Sequence, residues 1–384
     1  MTDRALRGRA IRYCVVVFLL ARVALSLLGL AVGSIYANPP PVDRVTIDVP
    51  QVTPGLHNIF DGTERLDATW FIGIAASGYE AQPEQGAAFF PGYPLTIRAV
   101  SALPGISPLV AAVLVSNLAL LGALILLYLL TTRELTELIA RRTVAVLVAF
   151  PTSFFLLAPY SESLFLLFAV MAMTAARRRR WGASWLAGAA AASTRLIGLA
   201  LGPALAFEAW RNSRGRGRVI GLLAACGVAV GPLLYFTWWQ IHAGSFFEPI
   251  RVQSYWHRSF QMPLVTLARG FYLGWETIGA PDAGYWVSDA VLTGLVIGGI
   301  VTIWRRVPGS YLVYAVLSLL VPLSDPYLGR DLVSMSRFVL VIFPAFWGLG
   351  RWTQRRSIFI AWLLVSIPLA LWHALLFMHY RHIY

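Results

Sequence analysis

The chain has 384 residues, 58% of them hydrophobic and 13% charged, with a formal net charge of +13. A soluble domain carries about 25% charged residues, and several apolar runs here reach the ~20 residues that cross a hydrocarbon core, so a soluble protein is excluded. The positive charge does not point to nucleic acid either, because all 31 basic residues are arginine and they gather in short loops between apolar runs.

In chain order, the first apolar run covers residues 11–36. It is too long for a signal-peptide core and lacks a convincing cleavage site, so it reads as a retained span. Six arginine clusters have the character of cytoplasmic loops. They are "RALRGRAIR" at the start, "RELTELIARR", "RRRR" at 177–180, "RNSRGRGR", "RR" at 305–306 and "RWTQRR". Placing all six inside forces an even number of crossings between neighbours. Residues 37–107 then form one large outer segment, followed by a span at 108–131. Residues 143–176 go out and return, turning at "APYSES", and 181–210 do the same around Ser193 to Arg195. The second of these is too short for two full spans and predicts half-helices leaning on neighbours.

Spans at 219–241 and 285–304 enclose a second outer loop, 242–284, and spans at 309–323 and 337–350 enclose "SDPYLGRDLVSMS". A last span at 357–379 leaves the C-terminus outside. The expected fold is an all-α polytopic integral membrane protein of about eleven transmembrane segments with a cytoplasmic N-terminus. It divides into a module at 1–241 that carries the outer loop 37–107, and a C-terminal part at 242–384. Cys14 and Cys226 fall inside apolar runs, which argues against a disulfide framework. No cluster has metal-ligand spacing.

The outer segment contains "RLDATWFIGIAASGYE" at 65–80. Asp61 and Glu64 have the spacing of a capping box, which predicts a helix from Gly62 to near Gly78 with Asp67 in its second turn. Trp70, Phe71 and Ile74 follow Asp67 at i+3, i+4 and i+7 and share its face. Such a helix should lie flat at the interface with that face inward. An inward carboxylate needs a partner or a function. Pairing with Arg65 or another outer arginine, capping of a later helix start, and a catalytic role all stay open.

Other polar groups collect on the same side. "PYSES" places Tyr160, Ser161, Glu162 and Ser163 there. Arg195, alone among apolar residues on the side arginine disfavours, requires an anion: Glu162, Asp67, or a phosphate whose geometry fits the guanidinium fork. "RVQSYWHRSF" adds Gln253, Tyr255, Trp256, His257 and Arg258, which suit a sugar-phosphate or plain interfacial anchoring. Arg337 begins a span at its outer end, where snorkelling to lipid headgroups is the alternative to a ligand. His373, His379 and His382 read as structural or interfacial.

The motifs "RLDATWFIGIAASGYE", "AAFFPGYPLTIR", "PTSFFLLAPYSESLF", "STRLIGL", "QSYWHR" and "SMSRFVLVIFP" occur in the order found in a known family. Through them the chain resembles bacterial relatives of the GPI second mannosyltransferase (PIG-V-like), within the type C glycosyltransferases. Where that family usually has Trp-Asp-Ser, this chain has Leu66, Asp67 and Ala68. The resemblance implies a first outer loop with membrane-parallel helices and half-helix pairs behind it. It implies a polyprenyl-phosphate mannose donor, no cofactor or metal, and a glycan, glycolipid or protein acceptor at the outer face of the plasma membrane. By residue-level match Asp67 takes the family's role of general base, and Tyr160, Ser161 and Glu162 shape the pocket. On the residue reading above, Arg195, Arg258, Arg337, His257, Trp256 and Gln253 would hold the donor, with Trp70 and Tyr79 adding aromatic walls. A lipid-linked sugar flippase and a noncatalytic membrane subunit are the competing readings. A transporter's midplane charges and paired repeats are not found in the sequence.

Overall fold

In hydrocarbon every backbone polar group must find its partner inside the segment or in packed protein, and the apolar runs accordingly form helices. The computed structural model describes residues 3–35, 63–279 and 283–378, and its regular elements are all helical. The expectations for Asp61, the remainder of 37–62, His379 and His382 lie outside the described residues.

Helix α1 runs Asp3–Ile35. Two shorter helices follow in the segment before the next long helix, α2 at Asp67–Ser77 and α3 at Gly92–Ser101. Helix α4, Pro108–Glu134, starts with Ser107 accepting the Val110 N–H and proline at its first position, the preferred chemistry of a helix start. Next come α5 at Glu137–Val148, α6 at Glu162–Arg177, α7 at Trp181–Thr194 and α8 at Leu201–Asn212. Helices α9, Gly215–Cys226, and α10, Val230–Ala243, form one apolar rod through a short turn. The C-terminal part holds α11 at Pro263–Glu276, α12 at Ala283–Ile303, α13 at Gly309–Leu323, α14 at Phe343–Trp352 and α15 at Arg356–Met378.

Among the described residues, five stretches are long and apolar enough to cross a membrane: Arg4–Val32, Pro108–Glu134, Gly215–Ala243, Trp286–Ile303 and Arg356–Met378. Each coincides with an expected span, and α13 matches the expected 309–323. Residues 143–176 and 181–210 form two pairs of short helices, α5 with α6 and α7 with α8, that meet around Ala158 to Ser161 and around Arg195.

One expectation is corrected. Helix α2 begins at Asp67 and not at Gly62, so Asp67 occupies the first helical position instead of the second turn. Leu66, at φ 53°, lies in the left-handed region and interrupts any earlier helix. The Tyr160 hydroxyl donates to the Arg65 carbonyl at 2.8 Å, and this tertiary contact overrides the local capping pattern.

The irregular backbone between α5 and α6 is satisfied by side chains of α4. Asn117 Nδ2 donates to the Leu157 carbonyl at 3.0 Å and Ser116 Oγ to the Tyr160 carbonyl at 2.9 Å. Tyr93 of α3 shares a hydrogen bond with Ser116 at 2.7 Å, which ties α3 to this turn. The turn at Arg195 is equally tight. A Cβ on Gly198 would lie 2.4 Å from Ala192 Cα, and one on Gly92 would lie 2.8 Å from the Ser193 carbonyl. At the far ends of these helices, Arg177 bridges Glu134 at 2.9 Å and Glu208 at 2.8 Å. Ser310 donates to Glu208 at 2.7 Å and Tyr311 to Glu134 at 3.2 Å, fastening α4, α6, α8 and α13 together.

Gly198→Ala should overpack the Arg195 turn and destabilise by about 1–3 kcal/mol, measured as a lower unfolding temperature in detergent. Gly182→Ala, where an added Cβ meets nothing within 4 Å, should leave that temperature unchanged or raise it.

Candidate functional site

The helix α2, the turn before α6, the turn after α7 and the segment Met335–Phe338 converge at one place. Asp67 Oδ2 lies 2.8 Å from Arg337 Nη2, and Arg337 Nε lies 3.1 Å from Glu162 Oε1. Arg195 Nη1 donates to the same Glu162 oxygen and, at 3.2 Å, to Ser161 Oγ. Glu162 is therefore a shared counter-ion for two guanidinium groups. The side chain of Asp67 is 25% exposed, against 11% for Arg337 and 0% for Glu162. Asp67 thus faces inward at the rim while Glu162 is sealed beneath it.

A third guanidinium belongs to the same cluster. Arg258, Arg195 and Arg337 stand 5.6, 5.4 and 5.1 Å from the centroid of the Phe338 ring. Arg337 also lies 5.2 Å from the Tyr160 ring, so aromatic faces stand in for solvent around these cations. Burial lowers the Arg258 pKa; Asp325 and Asp67 oppose that shift while Arg337 and Arg195 add to it. Arg258 Nη1 donates to the Asp325 carbonyl at 2.7 Å. Its loop is clasped to the segment after α13 by Leu328 N–H to the His257 carbonyl at 2.8 Å and Gln261 N–H to the Ser324 carbonyl at 3.1 Å.

The remaining expected site residues distribute differently. Trp70 stacks on Phe89 at 5.3 Å, and Trp256 meets both rings edge-on at 5.8 Å, which forms one aromatic wall. Tyr79 belongs to a neighbouring cluster with Tyr235, Trp238 and Trp239, and its hydroxyl donates to the Phe89 carbonyl at 2.6 Å. Gln253 and His257 are not gathered into the charge cluster. The Gln253 amide donates to Pro249 within its own turn, and the exposed His257, at φ 52°, rests against Tyr327. That left-handed turn sends the next residue, Arg258, inward. Arg337 does not snorkel: it is 9% exposed and ion-paired.

Three contributors escaped the sequence reading. Phe338 directly follows Arg337 and supplies the common ring. Thr152 Oγ1 donates to the Ser336 carbonyl at 2.6 Å, and Asp289 Oδ1 accepts from the Ser336 N–H at 3.2 Å. Asp289 did carry a signal, as a lone acid inside the apolar run "WVSDAVLTGLVIGG". Thr152 carried none. Among the described residues, no three His, Cys, Asp or Glu side chains gather as metal ligands.

Residues 8–207 match the family described as Mannosyltransferase (PIG-V). No curated protein matches. The chain is similar in structure to ArnT from Cupriavidus metallidurans bound to undecaprenyl phosphate, at 17% identity and a TM-score of 0.48 over 88% of this chain and 59% of that one. It is similar also to the Archaeoglobus fulgidus oligosaccharyltransferase tethered to an acceptor peptide, at 11% identity and a TM-score of 0.44 over 96% and 55% of the two chains. The chain thus spans well under two thirds of the length of either protein.

Glu162→Gln leaves two guanidinium groups around a single carboxylate and should destabilise by about 3–5 kcal/mol. Thermal unfolding in detergent measures it. Glu84→Gln, at the surface pair with Arg251 in which Glu84 is 64% exposed, should change stability by only about 0–1 kcal/mol.

Proposed function

The chain belongs to the PIG-V mannosyltransferase family, and on that premise we propose that it moves mannose from a polyprenyl-phosphate donor to an acceptor hydroxyl at the outer membrane face. The observation that carries this reading is the Asp67 carboxylate held 2.8 Å from Arg337 at the rim of a three-guanidinium cluster. A base and a cationic phosphate clamp are the two things such a transfer needs, and here they are adjacent.

The reaction is a single inverting displacement. The acceptor oxygen bonds to the sugar's anomeric carbon while its proton passes to Asp67. The bond from that carbon to the phosphate oxygen breaks, and its electron pair leaves with the lipid monophosphate. Arg195, Arg258 and Arg337 stabilise the charge that develops there. Trp70, Phe89 and Trp256 hold the sugar against one wall. Glu162 keeps two of the arginines from repelling each other before the donor arrives. In this reading about eleven segments thread the membrane. The six arginine clusters are cytoplasmic, and the half-helix turns bring the charge cluster to the outer leaflet.

Purified protein incubated with polyprenyl-phosphate mannose and a membrane extract should yield a mannosylated acceptor of inverted anomeric configuration. Asp67→Asn should cut that transfer by about 10²–10⁴ while the protein still folds, with a smaller loss of stability than Glu162→Gln because Asp67 is 25% exposed. A flippase or noncatalytic subunit would be indifferent to the substitution, and full transfer by Asp67→Asn would overturn the proposal. Because guanidinium groups take the leaving phosphate, turnover should persist in excess chelator; a loss restored by divalent cations would count against the mechanism.

A further inference from the structure

Arg337 contacts both acids of the cluster, yet it sits in a helical turn of four residues, Met335–Phe338. One turn does not hold its own geometry, because helix nucleation is unfavourable without further hydrogen bonds or packing. The residue ahead of it, Ser334, is left-handed at φ 66°, so no preceding helix supports the turn. Its register is fixed from outside.

Beside the turn's own backbone hydrogen bonds from Met335, Arg337 and Phe338 to the Leu332 and Ser334 carbonyls, two buried side chains grip Ser336, the residue immediately before Arg337. Thr152 Oγ1 donates to the Ser336 carbonyl at 2.6 Å, and Asp289 Oδ1 accepts from the Ser336 N–H at 3.2 Å. Thr152 and Ser336 are fully buried and Asp289 is 3% exposed. The two side chains come from unrelated parts of the chain. Thr152 lies in the turn that follows α5, on the connection that leads to Glu162; Asp289 lies on α12, in a stretch apolar enough to span a membrane. An acid at such a position is costly and normally marks a pairing or a site. Asp289 forms no ion pair among the described residues, and what it grips is a backbone N–H one residue from the reactive guanidinium.

We propose that Thr152 and Asp289 are positioning residues that clamp the Ser336 peptide groups and so set where the Arg337 guanidinium stands between Asp67, Glu162 and the donor phosphate. The proposal rests on the reading above that Arg337 receives that phosphate. Its physical content is a tolerance. Arg337 reaches Asp67 at 2.8 Å and Glu162 at 3.1 Å, and a displacement of the turn by roughly 1 Å would break both alignments. The clamp needs hydrogen-bonding oxygens, not a particular charge, so substitutions that keep an oxygen should work.

The test uses the full-length protein in detergent with undecaprenyl phosphate as the binding probe and polyprenyl-phosphate mannose for turnover. Thr152→Val and Asp289→Leu should weaken probe binding and raise donor KM by roughly 5- to 100-fold. Thr152→Ser and Asp289→Asn should stay within about twofold of the parent, a rescue that general loosening of the fold would not produce. In a double-mutant cycle, Thr152→Val should add little to Arg337→Gln, because both act through the same guanidinium. Wild-type binding by Thr152→Val and Asp289→Leu, with Arg337→Gln impaired, overturns the clamp and leaves the phosphate reading standing. Conservative variants as poor as the apolar ones overturn it too. Wild-type binding and turnover by Arg337→Gln overturn the phosphate reading itself. If an apolar variant does not fold, Thr152→Ala and Asp289→Ala carry the same comparison.

Discussion

A carboxylate removed from water must have its charge met by neighbours, and the arrangement of this protein follows from Glu162. Its side chain has no exposure, and it is met by Arg195 and Arg337, which lie far apart from each other in the sequence. Desolvating ions costs several kcal/mol each unless the geometry compensates. The turn before α6, the turn after α7 and the Met335–Phe338 segment therefore have one low-energy arrangement relative to each other. Asp67 joins through Arg337, and this brings α2 into the same charge system.

The same logic explains why irregular backbone is tolerated inside an otherwise apolar bundle. The connection between α5 and α6 exposes carbonyls that hydrocarbon could not satisfy, and Ser116 and Asn117 of α4 take that role. Tyr160 then passes the constraint onward by donating to Arg65, two residues ahead of Asp67. Gly92 and Gly198 permit the close backbone approaches that complete the joint. Each link is short and polar, so Asp67 is positioned by a chain of contacts that begins within a long apolar helix.

Two layers of buried charge lie at the two ends of the short helices. One is the Asp67, Glu162, Arg195, Arg337 and Arg258 cluster. The other is Arg177 with Glu134 and Glu208, closed by Ser310 and Tyr311. The second is internally paired and hydrogen-bonded, which suits a structural fastening. The first presents an acid at its rim and three cations around one phenylalanine ring.

Hydropathy and arginine placement are local properties, so the sequence by itself determined the long spans, the two short-helix turns, and the interest of Asp67, Arg195 and Glu162. The motifs also carried the family. Partner choice is not local. That Arg337 turns inward to Asp67 instead of snorkelling, that Arg258 enters the cluster while Gln253 and His257 do not, and that α2 starts at Asp67 depend on segments far apart in sequence that meet only when the helices pack. Thr152 shows the limit most plainly: a threonine in an apolar stretch has no periodicity or charge to mark it, and its role exists only because the Ser336 carbonyl is brought within hydrogen-bond reach by the tertiary fold.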